Sequence, residues 1–388
     1  MNLSTRLITT SRDPGDPRRA TAAPIYQTAT FEQEDPDHFG TFDYTRTDNP
    51  TRRVLETVLA DAEGARGALA FASGMAAISA VVRLVEPGER ILVGEDSYGG
   101  TDRLLRRLVA TRGVAVDCVD TTDLEAVEAA LAPGARLILL ETPSNPLLRI
   151  SDLCAISALA RARGALLAVD STMMSPALQR PLDLGADLVI HSGTKFLGGH
   201  GDVTAGSVAS RNQDLIEQLA FIRNAEGAAL APMEAWLLLR GLKTLELRIE
   251  RQQASADAVG AFLREHPLVR RLHWLADPAH PGAALHRRQA RGPGSILSFE
   301  TGDPAISRQI AGATRLFSTA VSFGGVGSSI SLPARMSHAC VPEQARRARA
   351  LPDDLVRISV GIEDPADLIR DLAGALEAAC SPALAAGC

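Results

Sequence analysis

Apolar positions along this chain fall into two rhythms. From Pro50 to Gly64, Val54, Leu55, Val58 and Leu59 recur at three- and four-residue spacing, which predicts an amphipathic helix. A Gly-Met turn within Phe71-Ala72-Ser73-Gly74-Met75-Ala76-Ala77 opens a second apolar helix. Short apolar runs then alternate with helical stretches: Ile91-Leu92-Val93, Leu137-Ile138-Leu139-Leu140, Ala165-Leu166-Leu167-Ala168-Val169 and Asp187-Leu188-Val189-Ile190. Strands apolar on both faces, separated by helices, predict an α/β fold with a large, mostly parallel sheet.

Each of these runs ends in polar residues: Glu95-Asp96-Ser97-Tyr98, Glu141-Thr142-Pro143-Ser144-Asn145, Asp170-Ser171-Thr172 and His191-Ser192-Gly193-Thr194-Lys195. Ligands of open α/β sheets bind beyond the carboxyl ends of the strands, so four polar strand ends predict one site. Beyond Gly206 the texture changes. Residues 234–262 are nearly without Gly and Pro and read as one or two long helices linking domains. Ser295-Ile296-Leu297-Ser298-Phe299 and Leu355-Val356-Arg357-Ile358-Ser359-Val360 read as strands of a smaller α+β domain, and the Ala-rich tail after Leu372 as a terminal helix with a frayed end. The expected division is an irregular N-terminal arm (1–45), a large α/β domain (46–240) and a C-terminal α+β domain (241–388).

Length supports two domains, since 388 residues exceed one ordinary core. Hydrophobic residues at 46% and charged residues at 22% exclude a disordered chain. The balance of 46 acidic against 40 basic side chains, with no basic stripe, gives a nucleic-acid partner no support. No apolar run approaches the ~20 residues that span a bilayer. Five scattered cysteines without metal-ligand spacing, and a start lacking an apolar signal core, lead us to expect a cytoplasmic protein with reduced thiols and no metal.

The chemistry is concentrated at three strand ends. Ser192-Gly193-Thr194-Lys195 offers hydroxyls and backbone N–H groups for a phosphate, and a lysine for a carbonyl. No G-x-x-x-x-G-K-[ST] loop occurs, so this is not a nucleoside-triphosphate loop. Asp170 closes a wholly apolar strand, where a carboxylate is costly unless it caps a helix or meets a cation. The protonated ring nitrogen of pyridoxal 5′-phosphate (PLP) is such a cation, and Lys195 would carry that cofactor as a Schiff base. Gly74 and Met75 open a helix whose N–H groups suit the phosphate, or simply pack closely. Tyr98, beside Gly99-Gly100, is placed to stack on an aromatic ring, or is an ordinary half-buried tyrosine. His191, His200 and His338 read as packing or hydrogen-bonding residues, and Met173-Met174 as pocket wall or core.

In combination these residues resemble, over nearly the whole chain, the Cys/Met-metabolism group of fold-type-I PLP enzymes. That group comprises the cystathionine γ-synthases, γ-lyases and β-lyases, the methionine γ-lyases and the homoserine sulfhydrylases. Matching stretches are Pro24-Ile25-Tyr26-Gln27-Thr28-Ala29-Thr30-Phe31, Tyr44-Thr45-Arg46, Asn49-Pro50-Thr51-Arg52, Ser73-Gly74-Met75-Ala76, Tyr98-Gly99-Gly100-Thr101, Glu141 to Pro146, His191 to Lys195 and Leu355 to Asp364. The resemblance implies that Lys195 forms the Schiff base and moves protons, Asp170 pairs with the pyridinium, and Tyr98 stacks on the ring. It places Asn145 near the phenolic oxygen, and Gly74, Met75, Ser192 and Thr194 on the phosphate. Tyr44 and Arg46 would reach that phosphate from a neighbouring subunit of a homodimer or homotetramer, with Tyr44 also near substrate. Arg357 would grip the substrate carboxylate, with Ser328 beside it.

Three positions depart from the group's pattern: Gly327 where γ-type members carry Glu before the loop serine, Asp48 for a glycine, and Ser171 for an asparagine. Asn224-Ala225-Glu226-Gly227, Arg240-Gly241-Leu242-Lys243-Thr244 and Ile330-Ser331-Leu332-Pro333 with Met336-Ser337-His338-Ala339 are similar to plant-type cystathionine β-lyases. The expected activity is therefore C–S β-elimination on L-cystathionine, yielding homocysteine, pyruvate and ammonia. The alternatives are γ-elimination or γ-replacement by the same parts, a non-catalytic relative, or a nicotinamide oxidoreductase. The last lacks its G-x-G-x-x-G after a strand.

Overall fold

The computed structural model describes residues 1–12, 15–337, 339 and 351–380. The periodic stretch after Asn49 is the helix Pro50–Glu63, with Val54, Leu55, Val58 and Leu59 all buried. Fully burying each such side chain stabilises the fold by roughly 1.5–3 kcal/mol. Asn49 caps it by accepting from Thr51 N at 3.0 Å, and Gly64 ends it in the left-handed region at φ 62°.

Among the described residues, seven strands form the large sheet. These are β1 (Gly67–Phe71), β2 (Arg90–Gly94), β3 (Ala115–Val119), β4 (Leu137–Glu141), β5 (Leu166–Asp170), β6 (Leu188–Ser192) and β7 (Gly206–Ser210). Their order is β1-β7-β6-β5-β4-β2-β3, with only β7 antiparallel to its neighbours. The four apolar runs are β2, β4, β5 and β6. The flanking β1, β3 and β7 were not legible. β7 reads Gly-Ser-Val-Ala-Ser because the helix Gly74–Val82 presses on it: a Cβ on Gly206 would lie 2.1 Å from the Ser73 carbonyl oxygen.

From β2 the chain steps outward to β3, then returns to the other side of β2 as β4 and continues to β5 and β6. This reversal opens a crevice at the carboxyl ends of β2 and β4, the expected place for a ligand.

The smaller sheet consists of β8 (Arg271–His273), β9 (Ile296–Glu300), β10 (Ser318–Thr319), β11 (Ser329–Ser331) and β12 (Leu355–Ser359), in the order β10-β11-β12-β9-β8. Two helices, Pro232–Leu242 and Leu245–Glu265, account for the long Gly- and Pro-poor stretch between the sheets. The terminal helix is Pro365–Cys380; the frayed end expected after it lies outside the described residues.

The N-terminal arm is less irregular than its composition suggests. Leu3–Thr9 is a helix with Leu3 and Leu7 buried, tied by Arg6 to the Asp61 carbonyl at 2.7 Å and by Ser4 N to Glu246 at 2.6 Å. Two apolar residues sufficed because existing helices cover them. Further on, Thr51 Oγ1 donates to the Pro24 carbonyl and accepts from Tyr26 N, while the buried Arg52 donates to the Thr45 and Leu230 carbonyls. The Asn-Pro-Thr-Arg run therefore fastens the arm to the large domain.

Candidate active site

A cavity of about 200 Å³ lies beyond β2, β4, β5 and β6 and is lined by Gly74, Met75, Tyr98, Asn145, Asp170, Ser192, Thr194 and Lys195. The sheet brings these residues together: Asp170 ends β5 in register with Glu141 on β4, and Ser192 ends the adjacent β6.

The floor suits a phosphate. The helix Gly74–Val82 begins against Ser192, where a Cβ on Gly74 would stand 2.8 Å from the Ser192 Cβ. Ser73 caps the third helical N–H, that of Ala76, at 3.1 Å, while the Gly74 and Met75 N–H groups precede it at the helix start. Ser192 and Thr194 add hydroxyls. The wall suits a flat ring, because Gly100 leaves no room for a side chain: its Cβ would lie 2.4 Å from Tyr98 Cε1 and 2.9 Å from Met75 Sδ.

Asp170 is half-buried and accepts from Thr172 N at 3.0 Å and from the Thr172 hydroxyl. Burial pushes its carboxyl above the usual carboxylate range, against the pull of Thr172, His191 and Lys195. A carboxylate so placed gains by meeting a protonated ring nitrogen. Lys195 points its ammonium at Ser322 Oγ, 2.8 Å away, and lies 5.1 Å from the Phe323 ring centre. Burial first, and the Arg357 charge second, lower the lysine to about 8. Roughly a tenth of the amine is then neutral at pH 7 and able to attack a carbonyl, far more than for an ordinary lysine. Helix start, hydroxyls, aromatic wall, half-buried carboxylate and low-pKa lysine together fit PLP.

Arg357 on β12 is buried in the wall beside the cavity. It donates to Asn145 Oδ1 at 2.7 Å and to the Ser322 carbonyl at 3.1 Å, with its guanidinium 5.2 Å from the Phe323 ring centre. Burial lowers it to about 10, opposed by Glu141 and Tyr98, so it remains charged at neutral pH.

Sequence reasoning missed Ser322, Val321, Thr172 and Glu141 as site residues, and all but Ser322 line the cavity. Glu141 accepts from Tyr98 N at 3.0 Å, and burial, with Asp170 and Asp96 nearby, holds its carboxyl well above the ordinary range. Thr172 carried a local signal, a hydroxyl two residues past the strand-end aspartate. Ser322 carried none, lying 127 residues beyond Lys195.

Ser328 needs correction. It is buried away from the cavity, donates to Glu363 at 2.9 Å and accepts from Gly361 N at 2.8 Å, so the place beside Arg357 that was expected for it falls to Ser322, whose carbonyl accepts from the guanidinium at 3.1 Å. Gly327 moves with it, since its Cβ would have only Glu363, 4.0 Å away, within reach. The cavity residues next to Ser322 are Val321 and Phe323. The other departures are accommodated locally: Asp48 pairs with Arg53, and Ser171 donates to Gln179 at 3.2 Å.

Tyr44 and Arg46 also lie off this cavity. They are exposed, with Arg46 5.0 Å from the Tyr44 ring centre and 3.1 Å from Asn224 Oδ1. His191 is a packing residue, paired with Glu63 at 2.6 Å, and His200 contacts the Gly198 carbonyl at 2.7 Å. His338 lies outside the described residues. Met173 and Met174 are buried in the core.

With this geometry in view, the family model described as Cys/Met metabolism PLP-dependent enzyme matches residues 4–377. The chloroplastic cystathionine β-lyase of Arabidopsis thaliana is 51% identical over 357 residues, covering 92% of this chain and 77% of that protein. Cystathionine γ-lyase of Bacillus subtilis is 43% identical, covering 92% of this chain and 94% of the relative. Among solved structures, cystathionine γ-synthase from Xanthomonas oryzae pv. oryzae in complex with cystathionine matches at a TM-score of 0.96 and 41% identity, covering 98% of each chain. A lysine, an aspartate and a helix start gathered at three strand ends thus have their explanation in descent: the chain belongs to the Cys/Met-metabolism family of PLP-dependent enzymes.

Proposed function

We propose that this protein is a carbon–sulfur lyase that cleaves L-cystathionine by β-elimination, giving homocysteine, pyruvate and ammonia. The observation that carries this reading is the wall beside Lys195. Val321 and Phe323, both apolar, flank Ser322 there. β-Elimination needs one proton taken from Cα and a thiolate that leaves, and Lys195 is the amine placed for it. A γ-route must also take a proton from Cβ, which asks for closer control of the side chain than an apolar wall provides. The β-lyase identity of the Arabidopsis relative supports the same choice.

The chain's own residues divide the work. Ser192, Thr194 and the N–H groups of Gly74 and Met75 would hold the phosphate, Asp170 would keep the ring nitrogen protonated, and Tyr98 would lie against the ring. When bound, PLP supplies an electron sink for the charge developed at Cα. Arg357, held square by Asn145 and the Ser322 carbonyl, binds the substrate carboxylate. Lys195 Nζ takes the Cα proton and returns it to the departing sulfur, with Ser322 Oγ holding the amine between those positions.

Purified enzyme offered cystathionine should release pyruvate in excess of 2-oxobutyrate. A majority of 2-oxobutyrate, or faster joining of cysteine to an activated homoserine, would overturn the β-lyase reading and leave the cofactor assignment standing. Two further readings belong with this one. Tyr44 and Arg46, exposed and away from their own cavity, serve the phosphate site of a second subunit in a homodimer or homotetramer. A cytoplasmic location is supported by five cysteines too scattered for a disulfide framework.

A further inference from the structure

The helix Leu245–Glu265 buries a stripe that includes Leu245, Ile249, Ala256, Val259 and Leu263. Two polar residues one turn apart, Arg248 and Gln252, interrupt it near the site. Both are buried, and buried polar groups are costly unless their partners repay them. Arg248 donates to the Phe196 carbonyl at 2.8 Å, to the Gly241 carbonyl at 2.9 Å and to Thr244 Oγ1 at 3.1 Å, with Leu197 O at 3.4 Å. Among the described residues it has no carboxylate partner, and burial lowers it to about 10. Gln252 donates to the Gly325 carbonyl at 2.7 Å.

Gly241 and Thr244 lie where this helix joins the one before it, and the other partners belong to two loops. Phe196 and Leu197 follow Lys195 directly, on the loop after β6. Gly325 lies three residues past Ser322, on the loop leading into β11. The loops also meet each other without side chains between them. Val326 N donates to the Gly199 carbonyl at 2.8 Å, and a Cβ on Gly324 would lie 2.9 Å from Phe196 N. Gly199 itself, at φ +72°, has no room for a Cβ, which would stand 2.0 Å from Arg248 Nη1. The Lys195 Nζ to Ser322 Oγ contact of 2.8 Å therefore depends on two loops from different sheets, both tied to one helix.

We infer that Arg248 and Gln252 are positioning residues, a two-point clamp on the Leu245–Glu265 helix that holds the lysine loop and the Ser322 loop at the separation proton transfer requires. This rests on Lys195 being the reacting amine. It does not depend on which sulfur amino acid is cleaved or at which carbon.

The test is a double-mutant cycle on the cofactor-loaded enzyme, using whichever sulfur amino acid the wild type turns over. Gln252→Leu keeps the volume and removes the bond to Gly325. We expect it to retain cofactor and lower kcat about tenfold, with KM changed far less, since a small misplacement of a catalytic group acts on the chemical step. Ser322→Ala should lower kcat as well. If the clamp acts through Ser322, the double variant should be no slower than the slower single variant. Glu250→Gln, exposed on the same helix, should match the wild type. Should Gln252→Leu fail to fold, Gln252→Asn, one methylene too short to reach Gly325, is read by the same criterion. Multiplicative losses in the double variant, or an unchanged kcat in the single one, would overturn the clamp. A wild type that releases 2-oxobutyrate would overturn only the β-lyase reading and leave the cycle interpretable.

Discussion

Lys195 combines a half-buried amine, a serine acceptor and a nearby guanidinium, and its reactivity follows from that setting. Only the neutral amine attacks a carbonyl, so cofactor capture by the cofactor-free protein should speed up with rising pH and level off above about 8. Stopped-flow absorbance across pH measures this, and a midpoint near 10.5, the ordinary value of a lysine, would show that burial does not act on it. Val321→Glu would place a carboxylate in the same cavity, favour the ammonium and move the midpoint upward. Gly327→Glu should behave differently, because its new side chain would meet Glu363 outside the cavity. We expect a stability loss of about 1 kcal/mol from like charges, read as a lower urea midpoint, with the pyruvate to 2-oxobutyrate ratio unchanged. A changed ratio would return Gly327 to the substrate site.

At the scale of elements, the phosphate floor depends on how closely the helix Gly74–Val82 approaches β7. The approach is set by Gly206, whose missing Cβ admits the Ser73 carbonyl. Gly206→Ala must push backbone against backbone, which costs about 1–3 kcal/mol in an overpacked core. The displaced part is the start of the helix that would hold the phosphate. Cofactor titration should therefore show affinity reduced about tenfold or more alongside a lower melting temperature. Affinity equal to wild type would mean that the floor tolerates the shift.

For the whole molecule, the question is whether one chain completes a site. Its cavity is lined by Lys195, Asp170, Tyr98 and the helix start at Gly74, but by neither Tyr44 nor Arg46. If those two serve a partner, Arg46→Ala and Lys195→Ala chains should each be inactive, or nearly so, as homo-oligomers. Hybrids should regain activity, because one of the two sites in a mixed pair then carries no lesion. A verified hybrid with no more activity than its parents would show that each subunit acts alone.

What was legible in advance divides along physical lines. Strands β2, β4, β5 and β6 announced themselves because central parallel strands are apolar on both faces, and their polar ends marked the cavity for the same reason. The helix after Asn49 was equally plain, since its cap, its stripe and its terminal glycine are local. Lys195, Asp170 and Tyr98 were found because each sits next to such a strand end. β7 escaped because its small residues answer to a helix that arrives from elsewhere in the chain. The helix Leu3–Thr9 escaped because two leucines become a buried face only once other helices cover them.

Residues 321–328 mark the limit most sharply. Val321, Ser322, Gly327 and Ser328 lie within eight residues on one loop, and only the path of that loop decides which of them face Lys195. The sequence by itself determined the fold class, the cofactor and most of the residues that line the cavity, because these follow from short-range patterns. The partner of the lysine, and the clamp that holds it there, were decided by tertiary structure, because hydrogen bonds across 50 to 130 residues leave no periodic trace in the chain.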